Sequence, residues 1–189
     1  IYGSSIKELL DLLKRKEYRY RYWAKRELRE KNPLKVKSIL DQWISELDRK
    51  DSRYINHQVE GMWAYRNLEL VNIGLLEELL NSKNHNARAA AAKQLRHWYA
   101  YAKNGKELLQ KAAIDKNGLV RLETAIACTY IGTKDAFQVL KQMISLPHEK
   151  HLTYAITTSL GSKPMQKFWD PNLVAKEHPE IESLFFKGR

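Results

Sequence analysis

The chain has 189 residues, 43% of them apolar, and a formal net charge of +11. That size and composition exclude a disordered chain and allow one domain or a short solenoid with a substantial core. Eight glycines and five prolines favour helices over a turn-rich β fold, and no apolar run approaches the roughly 18 residues of a membrane span.

Ser4 and Ser5 can cap a first helix, on which Ile6, Leu9, Leu10 and Leu13 recur at helical spacing. A second helix is expected over Tyr18 to Lys31, with Tyr20, Ala24 and Leu28 inward and Trp23 in the core. Tyr22, Arg26 and Arg29 form a second stripe pointing away. Asn32 and Pro33 end that helix and begin the next, because the residue before proline leaves the α region and proline fits a first turn. Leu34, Val36, Ile39, Leu40, Trp43, Ile44 and Leu47 give it a broad apolar face. Asp51 is the expected cap of a helix from Arg53 to Asn67, carrying Ile55, Val59, Met62 and Trp63.

The third pair spans Asn72 to Leu80 and Asn86 to Tyr101, the fourth Lys106 to Ile114 and Leu119 to Ile131. Gly132 fits a helix C-cap. The fifth pair spans Lys134 to Ile144 and Glu149 to Leu160, and Pro179 to Phe186 reads as a final short helix. The four alanines from Ala89 to Ala92 allow close helix approach; Ala91 is placed inward and Ala89 nearer solvent.

A frame recurs on the second helix of each pair. Arg88 precedes Ala91 by three and Leu95 by seven; Arg121 stands so before Thr124 and Cys128, and Arg21 before Ala24 and Leu28. Arg88 and Arg121 are 33 residues apart, Arg21 and Arg88 67, about two periods. Periods of about 20–50 residues mark stacked repeats. The second unit departs, with Gly61 as its close-approach position and no Arg before it. One period beyond Arg121 falls on Tyr154, with Thr157 and Gly161 in the frame. The expected fold is all-α, an α-α superhelix of about five antiparallel helix pairs, right-handed, over residues 1–162. A capping segment with a short helix fills 163–189, since terminal repeats need a cover.

Candidate sites follow. Arg21, Arg88 and Arg121, with Asp115 placed for Arg121, read as a structural polar ladder. Tyr22, Arg26, Arg29, His57, Glu60 and Arg96 are the candidate partner-binding residues. The run from Arg19 to Trp23 mixes charge and aromatics as nucleic-acid binders do, but the helix is expected to scatter these side chains rather than form one platform. Residues 7–37 hold twelve Lys/Arg against five Asp/Glu, a patch compatible with nucleic acid, anionic lipid, an acidic protein or a merely solvated face. His148 and His151 share a helix face, but no further ligand completes a metal set. Cys128 reads as a buried core thiol. No phosphate loop or nucleophile elbow occurs, and Glu60 and Glu123 lack a visible acid–base partner. No catalytic residue, metal or cofactor is expected.

Helix pairs of about 33 residues with Ala-Arg or Val-Arg opening the second helix resemble HEAT repeats, an armadillo-like fold. A closer succession runs through the middle: Asp51 to Tyr54, His57 to Trp63, Leu75 and Leu76, Ala87 to Ala92, Trp98, Val120 to Glu123, and His151 to Ala155 ahead of Lys163, Pro164 and Trp169. It is similar to the HEAT-repeat region of bacterial membrane-bound dehydrogenase-like proteins of planctomycetes, verrucomicrobia and Bacteroidetes. There a sugar-dehydrogenase-like β-propeller precedes the repeats and a c-type haem domain follows. With one cysteine this chain has no Cys-x-x-Cys-His, so that redox chemistry passes to no residue here. The resemblance implies a scaffold role and a periplasmic or otherwise extracytoplasmic location. The chain starts at Ile1 and reads as an excised segment, so a missing export signal says nothing about location. The expected function is a non-catalytic scaffold holding a protein partner or neighbouring domains of its own chain. The alternative is a nucleic-acid-binding module with a basic concave face.

Overall fold

A computed structural model describes residues 1–147 and 149–168. The described residues contain eleven α-helices and no strand. The expected helix at Pro179 to Phe186, Trp169, His148 and His178 lie outside them. The chain divides into two compact units, Ile1–Ala87 and Arg88–Arg189.

The first unit holds α1 (Ile6–Leu12), α2 (Tyr18–Arg29), α3 (Pro33–Ser45), α4 (Tyr54–Asn67) and α5 (Ile73–Leu80). Ser5 and Glu8 close a reciprocal capping box on α1, satisfying two orphan amides. Asn32 caps α3 through the amides of Leu34 and Lys35, with Pro33 in the first turn. α1 packs on α2 and α3, α2 on α3 and α4, α3 on α4, and α4 on α5. Leu9, Leu10, Leu13, Ala24, Leu28, Leu40 and Met62 are fully buried there.

The second unit holds most of α6 (His85–Trp98), a 3-10 turn at Tyr99–Tyr101, α7 (Gly105–Ala113), α8 (Gly118–Ile131), α9 (Lys134–Ile144), α10 (Lys150–Leu160) and α11 (Lys163–Gln166). Gly132 ends α8 in the left-handed region at φ 63°, the conformation glycine adopts without penalty. α8 packs on α7, α9 and α10, and α11 packs on α8 and α10. The hydroxyl of Ser159 donates to the carbonyl of Ala125 at 3.0 Å. A serine side chain reaches a neighbouring helix's backbone only when the two helices run close.

Several expectations shift. Tyr20 is 46% exposed and Trp23 41%; α2 buries only Ala24 and Leu28, too narrow a face to take either ring. Asp51 does not cap α4 as its first residue. It accepts the Arg53 amide at 2.7 Å, and α4 starts at Tyr54. The buried face of α4 is His57, Gln58, Gly61, Met62, Ala64 and Tyr65, while Ile55, Val59 and Trp63 are half-buried. Hydrogen bonds offset part of the burial of polar groups on that face: Tyr65 donates its phenolic proton to Asp41, and Gln58 donates to Tyr54 and Glu78, while Gln58 Oε1 and His57 Nδ1 are left without a partner.

The burial pattern also refines the repeat. His57, Gln58, Gly61, Met62, Ala64 and Tyr65 stand thirty residues before Ala87, Arg88, Ala91, Ala92, Gln94 and Leu95, all buried. Gly61 is thus the counterpart of Ala91, as expected, and Gln58 takes the place of the Arg. At the far end Leu152, Ile156 and Leu160 are the buried counterparts of Val120, Thr124 and Cys128, so the frame falls on Thr153 and not on Tyr154.

Ala89 is 4% exposed, not near solvent, whereas Ala90 is half-buried. Ala89→Leu and Ala91→Leu are both expected to destabilise by about 1–3 kcal/mol through overpacking. Ala90→Leu should cost much less. Urea melts of the three variants check this, and equal losses at all three positions would contradict the assigned face.

Candidate functional site

The second helices open on side chains that tie down loops. Arg21 Nη1 donates to the carbonyls of Arg15 and Lys16 at 2.8 and 2.5 Å. Its Nε lies 2.8 Å from Glu60 Oε1, an ion pair without hydrogen-bond alignment. Lys25 donates to the other Glu60 oxygen at 2.7 Å. Arg121 repeats the pattern, donating to the Asp115 carbonyl at 2.6 Å and to the Pro147 carbonyl at 3.0 Å. The Asp115 carboxylate does not serve Arg121, as the sequence had suggested. It takes a two-pronged pair from Arg88, Nε to Oδ2 at 2.6 Å and Nη2 to Oδ1 at 3.0 Å, the geometry a planar guanidinium favours.

Burial pushes the Asp115 carboxyl upward, but the Arg88 hydrogen bond, the Asn117 amide and the charges of Arg88 and Arg121 outweigh it. The net effect holds the group below the usual carboxylate range. Hydrogen bonding to Asp115 raises Arg88 in return.

The partner-binding candidates separate. Tyr22, Arg26 and Arg29 are exposed. His57 is 4% exposed, with Nε2 3.2 Å from Asp51 Oδ2. Burial lowers its pKa more than Asp51 raises it. It is an interior group of α4, not part of a surface. Glu60 is consumed by Arg21 and Lys25. Beside it is a recess of about 350 Å³ of mixed character, lined by Lys16, Arg21, Arg53, Glu60, Ile55 and Val59 among others. Arg96 lies 5.1 Å over the ring of Tyr130 and donates from Nε to His97 at 3.0 Å. Cys128 is buried, which pushes its thiol upward and leaves it inert. No cluster of three potential metal ligands occurs among the described residues.

The feature that sequence reasoning missed is a trough between α8 and α10. Leu122, Ile126 and Tyr130 line it from α8, and His151, Tyr154 and Ala155 from α10. Its volume is about 430 Å³ and its walls are mainly apolar. A neighbouring recess of about 380 Å³ shares Leu122 and His151 and extends to Asn117 and Arg121. Tyr130 and Tyr154 are 65% and 72% exposed at the rim. The signal was present: Leu119, Leu122, Ile126 and Tyr130 recur at helical spacing, off the core stripe of Val120, Thr124 and Cys128.

The family model described as HEAT repeats matches residues 73–161, the stretch from α5 to α10, and the all-helical arrangement of the described residues is HEAT-like. No curated protein matches the chain. Such helical repeats are scaffolds and interaction modules. Among the described residues no helix is long and apolar enough to cross a membrane.

Asp115 yields a prediction with a definite sign. A carboxyl held below its ordinary value contributes stability above about pH 4, lost as pH falls through its folded pKa. Asp115→Asn should cost about 1–3 kcal/mol at pH 7, and the gap to the parent should shrink in acid. Urea melts from pH 7 to about pH 2.5 check it; a gap constant across that range would show the carboxylate charge is not used.

Proposed function

We propose that the chain is a non-catalytic helical scaffold that holds an amphipathic helix of a protein partner, or of a neighbouring domain, in the α8–α10 trough. The observation carrying this is the trough itself: two apolar helix faces meeting at a recess with two exposed tyrosines at its rim. Such grooves take the apolar face of a helix, and tyrosines suit a rim because one end of the ring is apolar and the other polar.

The similarity to dehydrogenase-like proteins extends the proposal. In this reading the chain is one segment of a larger bacterial, extracytoplasmic polypeptide with propeller and c-type haem domains, and the trough docks one of them. The nucleic-acid alternative loses support from the ladder. Arg21 and Lys25 are paired with Glu60, Arg88 with Asp115, and Arg121 with two backbone carbonyls. Those second-helix cations have little left to offer phosphates.

The test is site-specific photo-crosslinking in the native host. A benzophenone side chain at Ile126 is expected to capture one defined polypeptide or domain, identified by mass spectrometry. Tyr154→Lys should abolish the capture, and the same probe at exposed Gln138 on α9 should not give it. Capture equal at both positions, or of nucleic acid, would refute the reading.

A further inference from the structure

A second surface, on the first unit, has different chemistry. The inner side of α2 is Ala24 and Leu28, and Arg21 and Lys25 reach Glu60 on α4. The opposite arc carries Tyr18, Arg19, Tyr22, Trp23, Arg26 and Arg29, all exposed. At 100° per residue these six share one face about 15 Å long.

The run Arg19 to Trp23 scatters as expected, with Arg21 turned to Glu60 and Tyr20 outside the ring contacts, but Tyr22 and Trp23 join Tyr18 in one aromatic assembly. Tyr18 stacks on Tyr22 with ring centres 6.0 Å apart, and Tyr22 meets Trp23 edge-on at 5.6 Å. Arg26 lies 4.8 Å over the Trp23 ring and 6.0 Å from that of Tyr22. The three rings remain partly open to solvent, Tyr18 at 67%, Tyr22 at 42% and Trp23 at 41%. Arg19, Arg26 and Arg29 pair with no carboxylate among the described residues. The arc holds one acid, Glu30, at its end.

We propose that this face of α2 docks an acidic segment of a protein partner whose apolar side chains seat on Tyr18, Tyr22 and Trp23. The proposal rests on the scaffold reading and adds a site and a partner chemistry to it. Charge complementarity selects the occupant: three unpaired guanidinium groups along one helix face call for carboxylates. An arginine resting on an indole keeps its in-plane N–H groups free, a prearranged fork for a carboxylate. The ring faces argue against a nucleic acid strand. Tyr18 occupies one side of Tyr22, and Arg26 covers Trp23, so the open flat faces that base stacking requires are already taken. The rings instead offer edges and flanks to aliphatic or aromatic side chains.

The test is fluorescence anisotropy on the 189-residue chain at about 150 mM salt. The probe is a labelled peptide of roughly 12 residues, long enough for the stripe, in which Glu alternates with Leu and Phe. Controls are the same peptide with Lys for Glu and a single-stranded oligonucleotide of similar length. The acidic peptide is expected to bind and the basic one not. Arg26→Glu/Arg29→Glu and Trp23→Ala should each weaken binding by about tenfold or more, with the melting temperature of the arginine variant unchanged because those side chains are exposed. Absent binding, or binding indifferent to both variants, overturns the proposal. So does tighter binding of the oligonucleotide with the same variant dependence, or self-association that the variants abolish, which assigns the face to a second copy. Tyr154→Lys should leave peptide binding intact. Failure here with the Ile126 crosslink retained sinks this inference alone; loss of that crosslink with peptide binding retained sinks the trough.

Discussion

A helix pair with one apolar face cannot bury it alone, so each second helix must press against a neighbour. The device is a small residue at one register position: Ala24, Gly61, Ala91 and Thr124 stand there, all buried. At Gly61 an added Cβ would come within 3.0 Å of Ile44, which shows how little room remains. At the helix starts a polar side chain three residues before the small position bonds a loop or a neighbouring helix. Arg21, Gln58, Arg88 and Arg121 occupy that position in the four frames. Arg21 and Arg121 donate to loop carbonyls, while Gln58 and Arg88 pair with carboxylates. The small residue and the donor are two parts of one packing solution.

This pairing explains what the sequence revealed and what it hid. Where the donor is Arg and the spacing regular, as from Arg88 to Arg121, the repeat is plain. The interval from Arg21 to Arg88 looked like two equal periods because only its total was visible. It consists of 37 and 30 residues once Gln58 is recognised as the intervening donor. Apolar periodicity failed on α4 because its inward face carries His57, Gln58 and Tyr65, each bonded inside. Polar groups in a core carry no hydrophobic signal. The one-residue shift on α10 has the same origin, since no donor marks its frame. Alanines such as Ala89 were ambiguous, because a residue that small shows no preference for either face.

The candidate surfaces were half legible. A net charge of +11 gives the sign of a field but not which cations are free. Lys14 is held by Asp11, Lys37 by Asp41, and Arg21 and Lys25 by Glu60, so four of the twelve cations in residues 7–37 are paired with carboxylates. What remains outward on α2 is sorted from what is paired by helix phase, which sequence supplies, and by the length of the partner side chains, which it does not. The α8–α10 trough was harder to foresee. Its lining looks in sequence like a second core stripe, and only the packing of α10 beside α8 leaves it open.

The perturbed ionisable groups bear on the nature of the protein. Burial and the Asp41 hydrogen bond push the Tyr65 phenol up; the Arg53 amide holds Asp51 down; burial depresses His57; and Asp115 is governed by Arg88. Shifts of this kind gather at active sites, but structural networks also produce them. The distinction lies in where the groups face. Asp115 ties a loop to α6, Tyr65 ties α4 to α3, and His57 meets Asp51 at the start of α4. None of them lines the trough, whose walls are Leu122, Ile126, Tyr130, Tyr154 and Ala155 with His151 at one end. The perturbed groups sit where they hold helices and loops together.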